Sequence, residues 1–164
     1  MTPAPIASAG LLLLTAYCLG SIPTGYWAGK LLQGIDIREH GSKSTGATNV
    51  LRTLGKPAAI AVLVIDILKG MAAVGLVRVI YAQGWFPALP SSWQDWLLIG
   101  TALIAMIGHS KSIFLNFTGG KSVATSLGVL FVLNPWLALG TLGTFLVVIA
   151  ISRIVSLSSI LAAI

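Results

Sequence analysis

The sequence has 164 residues, of which 56% are hydrophobic and only 9% charged, and its mean hydropathy is +0.95. A soluble domain carries about 25% charged residues. A water-soluble fold is therefore excluded, and the chain reads as an all-α, polytopic integral membrane bundle. The net charge of +6 is assigned to topology and to anionic metabolites or lipid head groups, not to nucleic acid.

Apolar runs lie at about 6–29, 57–80, 97–115, 122–134, 135–151 and 154–164. A full span needs roughly 20 residues, and the first two runs meet that length. No basic residue precedes Leu11, and the first run outlasts a usual signal-peptide core, so it is read as a first spanning helix. The third run is shorter and contains His109. The fourth and fifth meet at Asn134-Pro135, a turn or kink signal. The sixth is still apolar at Ile164, so 1–164 reads as one membrane-embedded domain, C-terminally truncated.

Charge orients the runs. The segment 30–56 carries Lys30, Arg38, Lys43, Arg52 and Lys56; 108–121 carries Lys111 and Lys121; Arg153 lies between the last two runs. The segment 81–96 has no Lys or Arg and reads as an interfacial belt of Trp85, Phe86, Trp93 and Trp96. The positive-inside rule then puts the N-terminus outside and both basic segments in the cytoplasm.

Those two segments are also rich in glycine and hydroxyls. The first is Gly41-Ser42-Lys43-Ser44-Thr45-Gly46-Ala47-Thr48-Asn49, followed by Arg52; the second runs from Gly108-His109 to Gly119-Gly120-Lys121-Ser122. Small residues let backbone N–H groups approach a ligand, and cations add charge, so the pattern suits phosphate. If helix starts near Thr45, Asn49 and Arg52 share a face, with Ser42, Thr45 and Thr48 at its N-terminus. The second segment fails as a Walker A motif, because position 115 is Leu115, but a helix starting with Lys121, Ser122 and Thr125 still offers an anion site. Ordinary turns with positive-inside or snorkelling cations would give the same residues.

Other polar groups are few. The single Cys18 excludes an intramolecular disulfide. His40 and His109 are the only histidines, and no second histidine or carboxylate lies at ligand spacing from His109, so neither metal nor cofactor is expected. His109 reads either as a packing residue or as a base facing the two loops, with no carboxylate evident as its partner. Asp66 and Lys69, three apart inside the second run, read as a mutual packing clamp. Gly20, Gly25, Gly29, Gly70 and Gly75 suit close helix contact.

Several motifs occur together in order: Ser21-Ile22-Pro23-Thr24-Gly25-Tyr26; Asp36-Ile37-Arg38-Glu39-His40-Gly41-Ser42 leading to Gly46-Ala47-Thr48-Asn49; Asp66 to Lys69-Gly70; and Gly108-His109, Phe114-Leu115, Phe117, Gly119-Gly120-Lys121 and Val123-Ala124-Thr125. The chain thereby resembles the bacterial acyl-phosphate:glycerol-3-phosphate acyltransferases, the PlsY family. The resemblance implies a seven-helix inner-membrane enzyme with a cytoplasmic active site, here lacking the C-terminal helix and its His-Arg-x-Asn type motif. It implies transfer of a fatty acyl group from acyl phosphate to the sn-1 hydroxyl of glycerol 3-phosphate, giving lysophosphatidic acid and phosphate. Where the family usually has glycine, this chain has Lys43 and Ser122.

On this reading, Arg52, Lys121 and Lys43 bind phosphate together with Gly46, Gly119, Gly120 and Ser122. Ser42, Thr48 and Asn49 orient the acyl phosphate and polarise its carbonyl. His109 and Ser42 are the catalytic candidates, although a substrate phosphate could take the proton instead of His109. The His-x-x-x-x-Asp motif of other glycerolipid acyltransferases is absent, since Thr45 and Phe114 occupy the places after His40 and His109. The alternative is a membrane transporter or binding protein for a phosphorylated metabolite.

Overall fold

Pro23 divides the first apolar run. A residue before proline is driven out of the α region, and proline itself has no N–H for the helix ladder. In the computed structural model, which describes residues 3–164, helix α1 (Pro3–Ser21) therefore stops before Ile22-Pro23, and a separate α2 (Thr24–Gln33) follows. The single spanning helix expected over 6–29 is thus two helices. Gly34, at φ +70°, ends α2 in the left-handed conformation that glycine adopts freely.

Helix α3 (Ala47–Leu54) is short and leads through Gly55 into α4 (Lys56–Gln83), which has Pro57 in its first turn. The expected start near Thr45 falls two residues early, because Gly46 is still extended. Helix α5 (Gln94–Ser110) ends before the predicted limit of its run, and Ile113–Leu115 forms only a 3-10 turn. Helix α6 (Val123–Leu133) and α7 (Pro135–Ser152) meet at Asn134, whose Oδ1 accepts from the Leu137 N–H at 3.1 Å and caps α7. Helix α8 (Val155–Leu161) follows Arg153.

Three stretches are long and apolar enough to cross a membrane: 4–33, 56–83 and 135–152. The bundle is built on α1, α4, α5 and α6, where α1 packs against α5 and α4 against α6. Between these helices the main chains themselves meet. A Cβ on Gly20 would strike Ala105 O, one on Gly108 Tyr17 O, one on Gly70 Thr125 O, and one on Gly128 Ile67 O. Lipid provides no hydrophobic force between helices, so such close approach is what holds them.

The apolar interior has two ends. Leu12, Val74, Val77, Ile80, Leu97, Leu98 and Val129 pack at one. At the other, Ile37, Val50, Ala58, Ala59 and Val62 lie under the first polar segment, and Ile37 and Val50 are fully buried. These two anchor the loop between α2 and α3 at both sides of its glycine-rich part.

Candidate active site

The first loop is held by Asn49. Its Oδ1 accepts from the Ser42 N–H at 2.8 Å, and its Nδ2 donates to Ser44 O at 2.8 Å, His40 O at 3.0 Å and Ile37 O at 3.1 Å. An amide has two N–H bonds, so at least one is shared among the three carbonyls. Asn49 is 1% exposed. Both its N–H groups and its oxygen are engaged inside the loop, and the side chain is buried, so the phosphate contact expected of it is corrected to one of shaping the loop. The neighbouring Ser42, Lys43 and Arg52 are exposed, while Thr48 and Gly46 are half-buried.

Asp36 and Arg38 brace the loop entry. Asp36 accepts from the Arg38 N–H at 3.0 Å and grips its guanidinium through Nε at 3.0 Å and Nη2 at 2.6 Å. The Arg38 hydrogen bonds hold the Asp36 carboxyl at about 2, so the pair stays ionised across the neutral range. Arg38 also lies 5.1 Å from the centre of the Tyr26 ring, and its Nη1 reaches Thr118 Oγ1 of the second loop at 3.4 Å. Both loops therefore share one end of the bundle. Asp36, Arg38, Glu39, Lys43 and Thr118 line a cleft of about 360 Å³ there.

The second loop is tied to the helices beneath it. Ser112 Oγ donates to Ser21 O at 2.6 Å, and Tyr17 Oη donates to Lys111 O at 2.7 Å. The Gly120 N–H donates to His109 O at 3.1 Å. Lys121 is exposed, but α6 begins only at Val123, so Lys121 and Ser122 precede the helix instead of forming its first turn. Ser122 is 5% exposed, and its Oγ donates to Met106 O and pairs with Ser110 Oγ, each at 2.7 Å. Its expected phosphate contact is corrected to a tie between α5 and α6.

His109 is 6% exposed and close to Gly120, where a Cβ would overlap its Nε2. Asp66 and Lys69 do pair, at 2.8 Å, but not with each other alone. Thr24 Oγ1 donates to Asp66 Oδ1 at 2.7 Å, Lys69 Nζ donates to Ile22 O at 2.9 Å, and His109 Nδ1 is 3.7 Å from Asp66 Oδ1. The expectation that no carboxylate accompanies His109 is therefore wrong. The available signal was that Asp66, Lys69 and His109 all lie in apolar runs, where each ionisable group needs a partner.

Lys43 and Ser122, which stand where the resembling family usually has glycine, have φ of +58° and +57°. A side chain in that region costs about 1–2 kcal/mol. Lys43→Gly should therefore raise stability by about 1 kcal/mol, read as a higher unfolding midpoint in detergent. Ser122→Gly should change it less, because the hydroxyl's two hydrogen bonds go with the side chain.

A profile of the family described as glycerol-3-phosphate acyltransferase matches residues 10–164. The chain belongs to this glycerol-3-phosphate acyltransferase family. A relative from Synechocystis sp. bearing that name is 73% identical over 164 residues, covering all of this chain and 73% of the relative. One from Rippkaea orientalis is 63% identical over 158 residues, covering 96% of this chain and 73% of the relative. Crystal structures of PlsY, an integral membrane glycerol 3-phosphate acyltransferase, in its glycerol 3-phosphate and lysophosphatidic acid forms, each superpose with a TM-score of 0.79. They are 37% and 38% identical, cover 94% of this chain, and are themselves covered to 72% and 71%. Membership of a glycerol-3-phosphate acyltransferase family also sets aside the transporter alternative.

Proposed function

We propose that this acyltransferase takes its acyl group from acyl phosphate and places it on the sn-1 hydroxyl of glycerol 3-phosphate, releasing lysophosphatidic acid and inorganic phosphate. The observation that carries this reading is the double duty of the second loop. Its Thr118 lines the polar cleft, while its Phe114 lines an apolar groove of about 440 Å³ with Thr15, Cys18, Leu19, Ile22 and Trp27. A donor with a charged head and a hydrocarbon tail matches that pair of surfaces.

Phosphate is a good leaving group, so attack of the hydroxyl needs no covalent enzyme intermediate. The work is alignment and charge stabilisation. Arg52, Lys121 and Lys43 are assigned to the phosphates. Ser42, Thr48 and the closely approachable backbone at Gly46, Gly119 and Gly120 are assigned to orienting the donor, the Gly46 and Gly120 N–H groups themselves being spent on Ser44 Oγ and His109 O. Acyl phosphate and labelled glycerol 3-phosphate supplied to the purified protein in liposomes should yield lysophosphatidic acid and one phosphate per turnover. Activity with acyl-CoA alone and none with acyl phosphate would reject the donor.

We further place the protein in the bacterial inner membrane with its N-terminus outside and both loops cytoplasmic. The support is the Lys and Arg of 30–56 and 108–121 against their absence from 81–96. A Ser44→Cys variant should react with an impermeant maleimide only after cells are opened. Labelling of intact cells would reverse the topology.

A further inference from the structure

Four polar side chains meet inside the bundle: Thr24 from α2, Asp66 and Lys69 from α4, and His109 from α5. Asp66 is 1% exposed, and one oxygen takes a hydrogen bond from Thr24 Oγ1 at 2.7 Å and forms an ion pair with Lys69 Nζ at 2.8 Å. His109 Nδ1 lies 3.7 Å from the same oxygen. That exceeds a hydrogen bond, yet Nδ1 is buried and has no other partner among the described residues. At the far side of the ring, Nε2 abuts Gly120. The imidazole thus spans the distance from a buried carboxylate to the turn that presents Lys121.

A neutral imidazole carries one N–H and one lone pair. With the proton on Nε2, the Nδ1 lone pair would face carboxylate oxygen across low-dielectric space. With the proton on Nδ1, the N–H points at Asp66. We propose that Asp66 is a positioning residue: it fixes the Nδ1–H tautomer and the orientation of His109, and through that ring sets the place of the Gly119-Gly120-Lys121 turn. This deepens the reading of that turn as part of the acyl-transfer site and rests on it. Lys69 balances the carboxylate charge and, through Ile22 O, ties it to the break between α1 and α2.

The tautomer is directly observable because the chain has only two histidines. In His40→Gln protein labelled with 15N-histidine in micelles, the ring shifts of His109 should report the Nδ1–H form. The Nε2–H form would overturn the proposal without any reference to activity.

The kinetic arm uses Asp66→Asn together with Lys69→Met, so that no uncompensated buried charge is left. This paired variant should lose about 10–100-fold in kcat/KM, the usual cost of removing an orienting partner. Adding His109→Ala should then cost less than a further threefold, while His109→Asn, which keeps a donor toward Asp66, should retain a sizeable part of the rate in the parent protein. A paired variant within threefold of the parent, or losses that multiply when His109→Ala is added, would overturn it. An inactive parent protein would instead reject the acyl-transfer reading and leave the tautomer result standing.

Discussion

Asn49→Asp is expected to release the first loop and to remove at least 99% of the activity. The substitution keeps volume and shape, and the Ser42 N–H keeps its acceptor. The carboxylate, however, cannot donate, and it would face the carbonyls of Ile37, His40 and Ser44. Buried acceptors that lose their donor cost about 1–3 kcal/mol each, partly repaired by water at this half-open surface, so a net loss of about 2–4 kcal/mol follows. Trypsin cleavage after exposed Lys43 reads the loop directly and should speed up alongside the loss of turnover. Unchanged cleavage and unchanged rate would mean that the Asn49 network does not shape the site.

The second large effect is expected from Arg52→Ala and Lys121→Ala. Both side chains are exposed, and neither has a salt bridge or side-chain hydrogen bond among the described residues, so their removal should leave folding and insertion intact. If each meets a substrate phosphate, losing one charge-assisted contact costs about 1.5–3 kcal/mol, or about ten- to a hundredfold in kcat/KM. Arg52→Lys should rescue only in part, since an ammonium cannot make the bidentate contact of a guanidinium. Rates near the parent value for both alanine variants at subsaturating glycerol 3-phosphate would take these residues out of the site.

The contrast between Asn49 and Arg52 also shows where sequence reading stops. The two were read as one phosphate-facing pair because they stand three apart. The structure turns Asn49 inward, to 1% exposure, and leaves Arg52 exposed. Which side of α3 faces the protein depends on how Ile37 and Val50 dock beneath the loop, and that is set by α4, not by local spacing. Helix α4 itself was legible to within one residue at its start and three at its end, as 57–80 against Lys56–Gln83, because a long apolar run stands between glycines. The break at Ile22-Pro23 was hidden by the apolar residues on either side. The approach of His109 to Asp66 joins two different helices, and no periodicity within either one encodes it. On the two loops, the division between side chains that face outward, such as Arg52 and Lys121, and those spent on internal hydrogen bonds, such as Asn49 and Ser122, is set by tertiary packing and not by residue type.

The main-chain contacts among α1, α4, α5 and α6 have a consequence for hydrogen exchange. Helix α7 takes no part in them: Ala138 is its only buried residue, Trp136 and Ile151 are more than four-fifths exposed, and its main neighbours are α6 and α8. Space is open beside Gly140 and Gly143, whereas Gly20, Gly70, Gly108 and Gly128 of the inner helices abut backbone. Opening free energies within one protein range from near zero to the global value, according to how many packed contacts must be broken. Amide protons of α7 and α8 should therefore exchange in a fast tier and those of α4 and α5 in a slow one. Asp66 and His109 lie on the slow helices α4 and α5, so exchange in α7 and α8 is expected to leave their pairing in place.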